Sequence, residues 1–289
     1  MTAPGNDSRV MGVARAAGFS LIELMVAMVL GLLVAGAALA ILQSNQATYR
    51  SNEGLNRIQE NARIAFELMS RDIRAAGGTA CSNFSVVEGG SAAANSFRTA
   101  PVTGSATTLQ VISGDDTAYR VVASTSSSVE LDPEELDAAA DAFDVGDVLL
   151  LCNARKTHLV QTSSVGGMTV GFAALPDGYN PSADEFAPPA AVVLSRLRDV
   201  NWFVAANGRG GSSLFVSRSG GAAEEVAEGI TGIAFQYLES GANDYTATPG
   251  DWLNVIAVRV TMTLTGQDVD GRALTRQSSN VVSLRGRTL

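Results

Sequence analysis

From Phe19 to Leu42 the chain carries one ionisable side chain, Glu23, within Gly18-Phe19-Ser20-Leu21-Ile22-Glu23-Leu24. A carboxylate in apolar surroundings loses its hydration and needs a counter-charge. An ammonium suits it, because the paired ions offset part of each other's desolvation cost. This spacing therefore offers charge pairing. Catalytic chemistry finds fewer materials. The single histidine, His158, sits at a strand start with no Gly-x-Ser-x-Gly turn in support, and reads as a surface or loop-packed imidazole. Zinc needs more His and Cys than the chain offers. Asp268-Val269-Asp270-Gly271 is a fragment of a calcium loop, and Asp132, Glu134, Glu135, Asp137, Asp141 and Asp144 form an acidic cluster. Neither supplies the full ligand spacing, so the first reads as a tight turn and the second as a solvated helix face. A phosphate-binding Gly-x-x-x-x-Gly-Lys-[Ser/Thr] loop is absent from the sequence. We expect no enzyme activity and no cofactor.

The elements that place Glu23 are legible. A short polar stretch with Arg9 and Arg15 precedes the apolar run, and 24 residues are enough to span a bilayer. Gly31/Ala35 and Gly36/Ala40 are small-x-x-x-small pairs that allow close helix approach. Past Leu42 the pattern turns amphipathic: Leu55, Ile58, Ala62, Ala65 and Met69 recur at spacings of three and four, widened by Phe66 and Ile73. Glu53–Arg57, Arg63–Glu67 and Glu67–Arg71 are placed to pair across one turn. Gly77-Gly78 ends the helix, so one helix is expected from Phe19 to about Ala76, roughly 87 Å long. Its second half must lay its stripe on a sheet.

Beyond Cys81 the period becomes two. Strands are expected at 107–112, 119–123, 148–151, 159–163, 168–172, 201–205, 214–217, 233–238, 254–265 and 275–284, forming an antiparallel sheet against the helix. The stretches 89–95, 124–128, 179–189 and 208–213 read as loops. Trp202-Phe203 and Trp252 are candidate interface anchors, with sheet core the expected place for at least one.

Net charge is −9. Without residues 1–18, which hold Arg9, Arg15 and Asp7, 18 basic and 28 acidic residues remain, a balance that argues against broad nucleic-acid binding. By the positive-inside rule the basic leader stays cytoplasmic and the rest faces an oxidising compartment. There Cys81 and Cys152 favour one disulfide, worth about 4 kcal/mol for a loop of this length, over two separate buried thiols.

The combination of Gly18, Phe19 and Glu23 behind a basic leader resembles a type IV prepilin N-terminus. The resemblance implies cleavage between Gly18 and Phe19 by a prepilin peptidase, methylation of the new Phe19 amine, and pairing of Glu23 with an N-terminal amine in a fibre. A secretory signal with Ala38-Leu39-Ala40 as its cleavage site is the rival, but the run is longer than a usual signal core and such a signal gains nothing from Glu23. Arg71-Asp72-Ile73-Arg74-Ala75-Ala76-Gly77, Gly146–Cys152, Glu225–Ile230 and Trp252–Val260 resemble the helix end and sheets of PilW-type minor pilins. That resemblance implies an α+β, type IV pilin-like fold: leader 1–18, apolar helix half 19–42, amphipathic half 43–77 and an enlarged β-rich domain 78–289. It also implies a single pass through the inner membrane before fibre entry. The implied partners are prepilin peptidase, major and minor pilins and the assembly platform. The implied role lies in motility, adhesion or DNA uptake. A minor pseudopilin of type II secretion shares the same N-terminal logic, and a membrane-anchored secreted binding domain or enzyme is the reading from another class. Replacing Gly18 by Val should leave the leader in place, read as an intact mass about eighteen residues heavier than the processed chain.

Overall fold

The computed structural model describes residues 18, 20–82, 85–174, 178–182, 185–269 and 272–285, and only the backbone of 55, 267–269, 272 and 273. Helix α1 runs from Leu21 to Ala75. The chain divides into two units between Asn52 and Glu53. In the first, α1 exposes its apolar side chains: Leu21, Leu32 and Val34 are 82, 74 and 70% accessible.

In the second unit Ile58, Ala62, Ala65, Met69 and Ile73 are buried, as the helical spacing predicts. The helix stops at Gly77, whose φ of +69° lies in the left-handed region that suits glycine. The Gly77 N–H donates to the Ile112 carbonyl at 2.9 Å, and the Gly114 N–H donates to the Gly78 carbonyl at 2.8 Å. A β-carbon on Gly114 would stand 3.3 Å from the Ala80 nitrogen and the Gly78 oxygen. That close approach explains the glycine.

Thirteen strands follow among the described residues: β1 (Val86–Glu88), β2 (Val102–Gly104), β3 (Thr108–Ser124), β4 (Ser128–Leu131), β5 (Val148–Cys152), β6 (Lys156–Gly166), β7 (Thr169–Phe172), β8 (Val193–Ala206), β9 (Ser212–Arg218), β10 (Glu224–Glu228), β11 (Ile230–Glu239), β12 (Val255–Val269) and β13 (Arg272–Ser283). They form two sheets, where the sequence suggests one. The smaller is the meander β11-β12-β13. In the larger, β3 pairs with both β4 and β8, so β3-β8-β5-β6-β7-β4 close into a ring. Val121, Leu131, Leu149, Leu151, Val160, Val170 and Leu194 from the strands of this ring, with Phe143 from the segment before β5, form a core cluster. The far halves of β3 and β8 leave it to join β2, β9 and β10 in an open sheet. That sheet, the meander and the buried stripe of α1 share one core, with Trp202, Phe235 and Tyr237 at its centre.

Several expectations are corrected. The two strands expected at 107–112 and 119–123 are one strand, β3, of 17 residues. Its register with β8 shifts between Gly114 and Ala118, so Asp115-Asp116-Thr117 bulge from a continuous ladder rather than turn the chain. Part of the expected 89–95 loop is helix α2 (Ala92–Thr99), capped by Ser91, whose hydroxyl accepts the Ala94 N–H, and anchored by buried Phe97. The expected i,i+4 ion pairs give way to other partners: Arg63 meets Glu60 at 3.5 Å, and Arg71 pairs with Asp116 on the bulge. An exposed i,i+4 pair is worth only a few tenths of a kcal/mol, too little to resist a better-placed carboxylate.

The helix also carries a buried carboxylate, Asp72, three residues beyond Met69 on the core-facing stripe. Its oxygens accept from Arg198 at 2.9 Å and from the Trp202 indole N–H at 3.0 Å, both on β8. Asp116 lies 3.9 Å from the same guanidinium. Removing one partner of a buried pair strands the other, so Asp72→Ala should destabilise the second unit by about 3 kcal/mol. Equilibrium urea denaturation followed by tryptophan fluorescence reads this loss, and an unchanged midpoint refutes it.

Candidate functional site

The sequence places its chemistry at the start of α1. The Ser20 carbonyl accepts the Glu23 N–H at 3.0 Å and the Leu24 N–H at 3.1 Å, so Glu23 lies in the first helical turn. A carboxylate there is favoured by the exposed N–H groups and the helix dipole. Its side chain is exposed, and among the described residues no cation pairs with it. Phe19 and residues 1–17 lie outside the described residues; Gly18 is described and exposed. One 18-residue window of α1 is apolar enough to cross a membrane, and none of that window is buried. A β-carbon at Gly31 or Gly36 would meet nothing within 4 Å, so these small residues make no close approach within the chain. A continuous exposed apolar surface of this extent marks a membrane or protein contact.

The remaining candidates resolve into structure. Cys81 and Cys152 are bonded, with Cα atoms 6.0 Å apart and a sequence separation of 71. The acidic cluster is not a helix face but a series of turns with a short 3-10 segment, Ala139–Asp141. Its carboxylates cap backbone and hold arginines. Asp132 accepts the Glu134 N–H at 3.0 Å and pairs with Arg120, and that backbone bond, then Arg120, holds its pKa below the ordinary value. Glu135 accepts the Arg120 N–H at 2.7 Å, and Asp144 meets Arg196 at 3.0 Å. Asp115, Thr117, Tyr119, Asp141, Phe143 and Arg196 line a cavity of about 220 Å³ beside the bulge. Among the described residues no three His, Cys, Asp or Glu side chains are grouped to hold a metal. Asp268 enters the β12–β13 hairpin, where Val269 pairs with Arg272, while Asp270 and Gly271 lie outside the described residues.

His158 is a fully buried residue of β6, not a surface one. Loop residues Tyr179 and Phe186 cover it, with ring centroids at 5.7 and 5.0 Å. Among the described residues neither ring nitrogen has a hydrogen-bond partner, and Nε2 lies 4.0 Å from Glu88. Lys156 meets Glu185 of the covering loop at 2.6 Å, and each shifts the other toward its charged form. Trp202 is core, whereas Trp252 is partly buried and packs edge-on against Tyr237 at 4.8 Å. Asp72, Asp116 and Arg198 escape sequence reasoning, although Asp72 falls on the apolar stripe and so carries a visible signal.

Residues 13–39 match the prokaryotic N-terminal methylation motif. The chain therefore carries a type IV pilin-like prepilin signal, which implies processing by a prepilin peptidase and pilins as partners in general. No curated protein and no solved structure matches it.

Burial holds the His158 pKa below its ordinary 6.5, so the folded chain keeps the ring neutral where the unfolded chain takes up a proton. The associated stability is complete above pH 6.5 and is lost as pH falls from there toward the lower folded value. Unfolding free energies from urea titrations between pH 7.5 and 5 should therefore fall, at up to about 1.4 kcal/mol per pH unit, and His158→Phe should flatten that part of the profile.

Proposed function

We propose that this chain is a minor pilin of a type IV pilus, of the PilW-like kind, that enters the fibre or primes its assembly. The observation that supports this most is the methylation motif over residues 13–39, joined to a first-turn Glu23 and an uncovered apolar helix. Removing residues 1–18 would leave an amine on Phe19, four residues from Glu23. In the bilayer the helix lies in hydrocarbon. In a fibre it must be buried by other helices, and the amine of a neighbour then supplies the charge that Glu23 lacks.

On this reading 1–18 is the leader, 19–42 the membrane and fibre-core half, 43–77 the amphipathic half and 78–289 the partner-facing domain of a type IV pilin-like fold. The leader is cytoplasmic and the domain periplasmic until the subunit joins the fibre at the cell surface. Prepilin peptidase, the assembly platform and other major and minor pilins are its partners. The chain works by association and has no catalytic role or cofactor. A domain of about 210 residues would crowd a regular shaft, which favours low copy number in motility, adhesion or DNA uptake. The assignment to a pilus rather than to type II secretion is tested by cross-linking in the native host. Capture of pilins supports it, and capture of secretion pseudopilins overturns it.

Glu23→Ala should still be cleaved, because the scissile bond is untouched, yet its recovery in sheared fibres should fall at least tenfold. Immunoblotting of the fibre and membrane fractions measures both. Normal incorporation of the variant refutes the pairing argument.

A further inference from the structure

Strand β13 closes one side of the meander and pairs only with β12. The Leu284 N–H donates to the Ile256 carbonyl at 2.9 Å. Antiparallel strands alternate the direction of their backbone groups. Asn280, Ser278 and Arg276 therefore turn their backbone toward β12, and Thr275, Gln277, Ser279, Val281 and Ser283 turn theirs outward. The outward residues are all exposed, Val281 by 48%. Nine residues from Thr275 to Ser283 leave an edge of about 30 Å with no backbone partner among the described residues.

The other edges are short or occupied. β1 and β2 have three residues each and β10 has five, with its Glu228 carbonyl taken by the Asn61 amide at 2.8 Å. β11 is held on its outer side by Ala106, which accepts the Phe235 N–H, and by Thr246, which exchanges two bonds with Tyr237. One long edge is left open in a fold that closes or shortens the rest.

Charge says what fits there. Residues 271–289 contain Arg272, Arg276, Arg285 and Arg287 and no Asp or Glu, in a chain whose net charge is −9. Arg276 and Arg285 are exposed and lie at the two ends of the open edge, and among the described residues neither pairs with a carboxylate. A second copy of β13 would bring like charge to like charge. We propose that the outer edge of β13 is a strand-addition site that takes an extended, acidic segment of a partner subunit. Backbone bonds from Gln277, Ser279 and Val281 hold the incoming strand. Carboxylates near its ends meet Arg276 and Arg285. The inference rests on the sheet and its charges and stands apart from the prepilin reading.

The test uses the full chain in detergent micelles and two synthetic nonapeptides, a Thr/Val alternation ended by Glu at both termini and the same peptide ended by Lys. Hydrogen exchange of the backbone amides is read by NMR. The Glu peptide should slow exchange at Gln277, Ser279 and Val281 at least tenfold and leave the Ile73 amide unchanged. Ser279→Pro removes one outward N–H without touching the β12 ladder, and should weaken peptide binding at least tenfold. Arg276→Glu should transfer the preference to the Lys peptide. Unchanged exchange with both peptides, or equal slowing by both, overturns the proposal. So does slowing that appears without peptide as protein concentration rises, which would make a second copy the occupant.

Discussion

A carboxylate carried on an apolar helical surface calls for a positive partner, and α1 carries two such carboxylates. Asp72 is satisfied inside the chain, by Arg198 and the Trp202 indole on β8. Glu23 has no such partner among the described residues and sits at the head of an apolar surface that none of them covers. The desolvation rule is common to both sites. One carboxylate fixes how the helix seats on its own sheets. The other is exposed, with no cation beside it among the described residues.

The seat of the helix is built from several features that meet over ten residues. Asp72 reaches β8, Arg71 reaches the β3 bulge, Gly77 and Gly78 bond to Ile112 and Gly114 just before that bulge, and Cys81 is tied to the end of β5. The bulge makes this possible. It releases Asp116 from the ladder toward two arginines, and Gly114 beside it admits the chain leaving the helix. Strands β3 and β8 then carry the arrangement into the closed ring, because each belongs to both the ring and the open sheet. The ring has its own apolar core, so β3 and β8 are anchored in a second core beyond the sheet that meets the helix.

What was legible in the sequence follows from the range of the interaction. The stripe Ile58, Ala62, Ala65, Met69 and Ile73 needs only the helical period, and Gly77 needs only the left-handed turn that ends a helix. Asp72 was hidden because a charge between Arg71 and Arg74 looks like part of a solvated face; only its position on the stripe betrays it. The sequence Gly114-Asp115-Asp116 has turn chemistry, and a bulge uses the same residues, so a strand of 17 residues reads as two. Helix α2 depends on the Ser91 cap and on burial of Phe97, and the second is invisible without its neighbours. Closure of the ring rests on the β3–β8 pairing between residues about 80 apart, which no local pattern encodes. At the candidate site Gly18, Phe19 and Glu23 were readable because their meaning lies in spacing alone.

The Cys81–Cys152 bond has a mechanical side. Tension entering along α1 reaches Cys81 soon after the helix ends, and the bond passes it directly to β5, inside the ring. The stretch between the two sulfurs, a sequence separation of 71, is shunted out of the load path. Stretched straight it would add roughly 240 Å of slack. A chain pulled through α1 can therefore yield elsewhere, but it cannot pay out that length of cord while the bond is intact.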